Sequence, residues 1–372
     1  MVMNIVKKLG ISVGIMLGGF VIFFLGSVAF LSLIRVNDLS LQRKHMLNLI
    51  ELYAEDYVPI NESQFSNFDL SDQTIRLNEI QVLATHNSYK KIGSGLGKFF
   101  IGLGDSFDEA NALKYGYDSL TDQFNVGVRS IELDVRYRKG TFEVTHVPLV
   151  DNSSTTPNLA LAIEEIKLWS DNNPNHIPIS VLVEIKHDWM MLDLELKEIT
   201  EVELLLLDQL ISNTLGTKLL SPKDVIGSSS TLKAAITENG WPLLKNTLGK
   251  VIFILHPGRY TDTYVEMDSD FNSMAMFPAA SNSEIDNTYT SFIVHNDPNV
   301  EIIKGLVSQN FIVRTGLDGR LTPDAEQFNN AIASGAQILT SDFPPNHNFK
   351  GIEYVAYLKE QYTIIKNTYI TG

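Results

Sequence analysis

The chain opens with an apolar block and then changes rhythm. Residues 9–34, LGISVGIMLGGFVIFFLGSVAFLSLI, carry no charge. About 20 such residues span the hydrocarbon core of a bilayer as a helix, and apolarity on every face is not the pattern of a surface helix. Residues 39–53 follow with helical spacing of Leu41, Met46, Leu49 and Leu52, and the polar stretch 61–72 reads as a linker. Beyond it, short runs rich in Ile and Val recur at 80–84, 128–135, 142–146, 179–185, 251–255, 291–294, 311–314 and 337–340. Such continuous runs suit parallel strands buried on both faces. Helical spacing lies between many of them, at 159–170 (Leu159, Ile163, Ile166 and Trp169 on one face), 192–215, 300–308 and 323–334.

This alternation predicts an α/β body with a parallel sheet, either a barrel or a doubly wound sheet. Three units are expected: residues 1–36 as a membrane anchor, 37–77 as a stalk or linker, and 78–372 as the folded body. Lys7 and Lys8 precede the apolar block, and an excess of positive charge marks the cytoplasmic side. The body is therefore expected outside the cytoplasm, tethered by a single pass. The competing reading is a signal peptide cut near Ser27-Val28-Ala29, which would release a secreted body. The apolar run is longer than the usual ~7–15-residue core of a signal peptide and continues past that point, which favours an uncleaved anchor.

Charge narrows the partners. The 372 residues hold 29 Lys and Arg against 44 Asp and Glu, a net charge of -15. Setting aside Lys7, Lys8 and Arg35 in the anchor leaves 26 basic side chains against the same 44 acidic ones. A body this acidic is a poor match for the nucleic acid backbone, whose binding needs neutralising Lys and Arg. It still allows one phosphate in a pocket, because a bound cation reverses the local sign. The absence of cysteine removes thiol catalysis, zinc–thiolate sites, iron–sulfur clusters and disulfides.

The polar residues that interrupt the apolar runs decide between barrel and open sheet. Gly93-Ser94-Gly95-Leu96-Gly97 is glycine-rich, but no apolar strand leads directly into it, so it is not read as a dinucleotide cradle. Polar groups instead cluster at the carboxyl ends of several strands, where a barrel builds its active site: Thr85-His86-Asn87-Ser88-Tyr89, then Glu132-Leu133-Asp134, then Thr145-His146, then Glu184-Ile185-Lys186. Glu132 and Asp134, two apart on a strand, share a face. Two carboxylates buried together repel unless a cation lies between them. Asn, Asp and Glu are oxygen donors, a set that suits Ca2+, with Mg2+ as second choice. Two imidazoles can pass protons near neutrality. Singly, each feature has a plain reading: an edge carboxylate pair, a structural histidine, or Lys186 as a rim partner of Glu184. Their succession on four strand units is what gives them weight. His45, His176, His187, His256, His295 and His347 lack that support and read as structural or surface residues.

In this order, T-H-N-S-Y, G-V-R-S-I-E-L-D-V, V-T-H and V-E-I-K resemble the phosphatidylinositol-specific phospholipase C-like phosphodiesterases, most nearly the calcium-dependent bacterial type. Segments around 117–124, 169–174, 220–225, 231–234, 240–242, 313–315 and 335–344 extend the likeness over residues 77–345. The resemblance implies an irregular TIM-type (β/α)8 barrel behind the N-terminal membrane helix, and cleavage of a glycerol–phosphate ester by a His/His acid–base pair. The products would be diacylglycerol and a cyclic or linear inositol phosphate. It implies that His86 stabilises and protonates the phosphate and that His146 is the second acid–base group. Calcium would be held by Asn87, Glu132, Asp134 and Glu184, and Lys186 would lie near phosphate or inositol. From their place at the last two strand ends, Arg314 and Asp342 are expected to contact inositol hydroxyls. The implied partner is a phospholipid at a membrane surface, with neither nucleic acid nor an obligate protein partner. The alternatives are a related phosphodiesterase for glycerophosphodiesters or sphingolipids, and an inactive, membrane-tethered lipid-binding module. His86-Asn87-Ser88 stands where glycerophosphodiester phosphodiesterases carry His-Arg-Gly, which favours the phospholipase type.

Overall fold

A computed structural model describes residues 2–347, 349 and 351–370. Met1, Asn348, Lys350, Thr371 and Gly372, which fall in the expected anchor and barrel units, lie outside the described residues, as do the side chains of residues 2–11, Lys7 and Lys8 among them. Eleven strands are present among the described residues: β1 (Ile80–Thr85), β2 (Ser130–Arg138), β3 (Thr141–Val144), β4 (Ile179–Ile185), β5 (Leu196–Lys197), β6 (Val251–Leu255), β7 (Met276–Ala280), β8 (Phe292–Val294), β9 (Ile312–Gly316), β10 (Ile338–Ser341) and β11 (Ile364–Lys366). Eight of them, β1, β2, β4, β6, β7, β8, β9 and β10, pair in parallel around a closed ring. The ring closes between β1 and β2 through a single register pair, Ala84 with Ser130. That thin seam is the irregularity in an otherwise TIM-type barrel.

Two strand expectations need correction. The run at 142–146 is strand only to Val144, as β3, and it folds back antiparallel on β2 rather than entering the ring. Lys139 and Gly140, both at positive φ, make the tight reversal that forces this pairing. Its place in the ring belongs to β7, Met276-Phe277-Pro278-Ala279-Ala280, which the apolar pattern did not single out. Pro278 and two alanines dilute its β-branched signal, yet it is fully buried between β6 and β8. The expected helix at 192–215 begins only at Glu201, because Trp189 turns the chain in the left-handed region and β5 adds to β2 first. Thr200 and Glu203 then cap the helix reciprocally.

Helices clothe the ring. After α1 (Val2–Ala54) come α2 (Gly95–Gly104), α3 (Phe107–Ala112), α4 (Leu120–Asn125), α5 (Leu159–Asn172), α6 (Glu201–Leu215), α7 (Pro222–Ile226), α8 (Leu232–Ala234), α9 (Thr261–Met267), α10 (Val300–Val307) and α11 (Ala325–Ser334). In α5 the residues at helical spacing, Leu159, Ile163, Ile166 and Trp169, are all buried. Arg129, fully buried behind Trp169, forms an ion pair with Glu62 and donates to the carbonyls of Phe124 and Val128. That pair ties the segment following α1 to the amino-terminal side of the barrel, and its hydrogen bonds offset the cost of a buried guanidinium.

The first helix is one unbroken element of 53 residues, about 80 Å long at 1.5 Å per residue. Its amino-terminal part is apolar and long enough to cross a membrane, and residues 12–26 are each largely exposed. From Ser27 onward one stripe is buried against the body: Ser27, Leu31, Asp38, Gln42, Met46 and Leu49. Spacings of three, four and seven put these on one face. Polar contacts fix the dock. Arg35 pairs with Glu143, Asp38 with Lys91 at 2.6 Å, and His45 Nε2 lies 3.1 Å from Glu165. Asn152 donates to the Leu31 carbonyl at 2.9 Å, and the Gln42 side chain bonds both the amide and the carbonyl of Asn158.

His176 is one of the histidines left to structure. Its Nδ1 donates to the Ile177 carbonyl at 2.7 Å, and its Nε2 meets Ser170 Oγ at 2.8 Å. Burial pushes its pKa from 6.5 down to about 3. Between those values the unfolded chain binds a proton that the folded chain does not, so stability falls as pH drops from about 6.5 toward 3. Urea midpoints in detergent should show a loss of about 2 kcal/mol between pH 7 and pH 4.5 from this group alone. The loss should be smaller in His176→Gln, and an equal loss in both proteins would remove the assignment.

Candidate active site at the carboxyl end of the barrel

Strand periodicity builds this site. Glu132, Asp134 and Arg136 alternate with the apolar residues of β2 and share one face. Asp134 stands directly beside Glu184 in the β2–β4 register. One carboxylate oxygen from each of Glu132, Asp134 and Glu184 falls within 4.8 Å of the others. Asp134 is wholly buried; the Tyr89 hydroxyl lies beside it, but no donor reaches either carboxylate oxygen in good hydrogen-bond geometry. The nearest cation is Lys186, which lies 3.6 Å from Asp134 and 2.7 Å from Glu184. Burial pushes the Asp134 carboxyl up to about 7, with Lys186 and His146 opposing and the charges of Glu184 and Glu132 adding. A buried carboxylate left without donors is costly. An oxygen-only set of three converging carboxylates fits a hard divalent ion such as calcium.

Glu132 differs from Asp134 in having a partner. Burial alone would raise its carboxyl, but Arg314, reaching across from β9 to 2.7 Å, and His86 outweigh it and hold the group below its usual range. Arg314 also donates to Thr340 and Asn296, so its place near the expected head group is shared with a structural role.

His86 follows β1, and Asn87 after it takes φ 49°, a left-handed turn that asparagine tolerates. The Asn87 amide donates to the Tyr115 hydroxyl at 2.9 Å, and that hydroxyl lies 3.3 Å from His86 Nδ1. Burial lowers the His86 pKa, with Arg314 and His146 adding to the fall while Glu132 and Asp342 oppose it. The ring is therefore neutral near pH 7 and able to accept a proton. His86, Arg314 and Asp342 line a polar cavity of about 270 Å3. The Asp342 carboxylate accepts from the Leu321 amide at 3.0 Å, while Asp318 beside it is pushed up to about 7 by burial.

His146 lies beyond β3. Its Nδ1 is 2.9 Å from Asp151 Oδ2, and Asp151 in turn holds the fully buried Lys90 at 2.9 Å. Burial alone would raise Asp151; Lys90 and His146 outweigh it and keep the carboxyl below its usual range. The carboxylate accepts the Nδ1 proton and leaves Nε2 free for another partner. Arg136, buried on the β2 face, donates to the His146 carbonyl at 2.8 Å and to Asp188. Asp151, Lys90, Arg136 and Tyr115 escaped the sequence reading. Asp151 follows His146 by five residues across Pro148, which matches no strand or helix period. Lys90 looks like any surface lysine until the turn at Asn87 points it inward.

These features define a class: a TIM-type barrel with two imidazoles around an acidic, oxygen-lined centre. The family model described as "Phosphoinositide phospholipase C, Ca2+-dependent" matches residues 75–140 and 136–367. The chain belongs to this family and is a phosphoric diester hydrolase of the phospholipase C type. A calcium-dependent phosphoinositol-specific phospholipase C from a Pseudomonas species, solved with myo-inositol, shares the fold at 17% identity and TM-score 0.56, over 80% of this chain and 98% of its own. The calcium-dependent phosphatidylinositol-specific enzyme from Streptomyces antibioticus aligns at 16% identity and TM-score 0.54, over 72% and 95% respectively. No curated protein shows significant sequence similarity to the chain.

Asp151→Asn removes the acceptor that sets the His146 tautomer and the charge that pairs Lys90. Steady-state kinetics on a phosphodiester should show kcat at least ~10-fold lower with KM little changed, because a misplaced proton acts on the chemical step. A rise in KM alone would contradict the assignment.

Proposed function

We propose that the protein is a calcium-dependent phosphodiesterase that cleaves the glycerol–phosphate bond of phosphatidylinositol-type lipids, working from the membrane that its first helix crosses. The observation that carries the reading is Asp134: a fully buried carboxylate without a hydrogen-bond partner, clustered with Glu132 and Glu184. Asn87, Glu132, Asp134 and Glu184 would hold the ion, calcium rather than magnesium. Bound there, the ion would supply positive charge to the phosphate oxygens.

The remaining roles belong to the chain. The head group enters the polar cavity of Arg314 and Asp342, which places its attacking hydroxyl beside neutral His86. His86, neutral in its desolvated setting, would take that proton as the new oxygen–phosphorus bond forms, a base's part in place of the phosphate-protonating one that the family resemblance implies. His146, oriented by Asp151, gives a proton to the glycerol oxygen as the old bond breaks. When the attacking group is the inositol 2-hydroxyl, the products are diacylglycerol and a cyclic inositol phosphate, which water can open to the linear form. Lys186, held beside Asp134 and Glu184, steadies the phosphate charge.

For the tether, Lys7 and Lys8 would stay in the cytoplasm and the barrel outside it. Support for an uncleaved anchor comes from the helix itself. It runs without a break through Ser27-Val28-Ala29, and Phe24, Val28 and Leu31 face the body across a shared cavity.

Cleavage of phosphatidylinositol in mixed vesicles should vanish with EDTA and return with calcium. His86→Ala should lower kcat by ~100-fold or more. Activity indifferent to both treatments would rule the mechanism out. In Asp134→Asn, half-saturation by calcium should rise more than ~10-fold, with excess calcium restoring part of the rate, because one of the ion's charges is gone. An unchanged titration would exclude Asp134 as a ligand.

A further inference from the structure

The two histidines border different cavities. His86 lines the polar one, while His146 lines a second of about 410 Å3 whose other walls are apolar except for Asp105, Glu109 and Asp188. One wall of this second cavity is α1 itself, through Phe24, Val28 and Leu31, and Phe100 of α2 and Trp189 line it as well. A volume of this size is typical of a site for a small organic ligand. We propose that the membrane helix is part of the substrate site: its face closes the cavity that takes the acyl-bearing glycerol end of the lipid, so that substrate enters sideways from the leaflet in which the protein is anchored. The proposal deepens the phosphodiesterase reading and rests on it and on α1 crossing a bilayer.

Depth along α1 supports it. The apolar run covers residues 9–34, and the hydrocarbon core needs about 20 of them. Whether the core coincides with residues 9–28 or 15–34, Phe24 lies inside it and Val28 lies inside it or at its edge. A cavity walled by these residues therefore opens at or below the membrane surface. The helix that packs there is suited to the same depth, for Phe100 of α2 meets Phe23 of α1 with ring centroids 6.4 Å apart. Along the chain beside the lining residues Phe100, Gly104, Trp189 and Leu192, the side chains of Phe99, Leu103, Phe107, Met191 and Leu194 are exposed, apolar groups that water does not favour and acyl chains do. The dock described above, with Arg35, Asp38, Gln42 and His45 all engaged, fixes the barrel to the helix so that its rim cannot swing away from this bilayer.

The polarity of the two cavities also sets the direction of the substrate. A diester whose phosphorus sits between the histidines has its head group in the polar cavity and its glycerol at His146, from which the tails continue along α1 into the bilayer.

The test uses the full chain reconstituted in phosphatidylcholine vesicles. With phosphatidylinositol in the same vesicles, turnover should exceed by at least tenfold that seen with phosphatidylinositol in separate vesicles; equal rates would overturn entry from the anchoring leaflet. Val28→Trp, which fills the cavity, should lower turnover of the lipid at least tenfold more than turnover of water-soluble glycerophosphoinositol. Ile22→Trp, on an exposed face of the same helix, should retain lipid turnover. Equal losses on both substrates in Val28→Trp would overturn the tail site. If the unaltered protein cleaves neither diester, the phosphodiesterase reading fails instead, and the cavity is then read without turnover. A phosphatidylinositol bearing a diazirine in its acyl chain should crosslink to the α2 segment around Phe100, and Val28→Trp should abolish that adduct. No adduct in the unaltered protein would dismiss the site.

Discussion

A buried negative charge without a donor is the constraint around which this barrel is organised. Asp134 is completely enclosed, and its oxygens accept no hydrogen bond. The backbone of β2 is engaged by β4 and β3, and the Asp134 carbonyl accepts from the Thr145 amide, so it offers no donor to the side chain. The same register places Glu184 beside Asp134, which adds repulsion where relief is needed. Folding alone would not select such an arrangement, since burying like charges costs stability. Three converging carboxylates of this kind fit a divalent cation, and Lys186, 3.6 Å from Asp134, relieves the repulsion only in part.

The two histidines differ in their surroundings. His86 is desolvated and lies beside Arg314, an environment that keeps it neutral. His146 rests against a carboxylate that is itself held down by Lys90. Two residues of one type thereby sit in different settings, one ring desolvated and neutral, the other oriented through Nδ1 by a carboxylate. Arg136 connects this pair to the β2 face that carries the acidic cluster, so the barrel wall and the His146 segment move as one.

The first helix joins an apolar segment long enough to cross a membrane to the barrel in a single unbroken element. Its exposed apolar half and its docked half belong to one continuous backbone, and the change from one to the other occurs within two turns, at Ser27 to Leu31. Polar residues such as Asp38 and Gln42 become buried there because the barrel supplies their partners, Lys91 and Asn158. The placement of the apolar segment relative to the barrel then follows from side-chain geometry rather than from a flexible linker.

Local chemistry is what the sequence determined by itself. The uncharged run at 9–34, the Ile/Val runs, and the strand-end groups His86, Glu132, Asp134, His146 and Glu184 were legible because a strand has a period of two and a buried carboxylate is conspicuous in an apolar run. The order of these groups carried the family resemblance. The tertiary structure alone decided what depends on contacts between distant segments. It put β7 in the ring in place of β3, because a proline-containing run is stabilised by neighbours it cannot announce. It brought Asp151 and Lys90 to His146, since a loop has no period from which to read a direction. It also laid residues 38–49 of the first helix against the barrel, for the partners of Asp38, Gln42 and His45 lie more than 50 residues away along the chain.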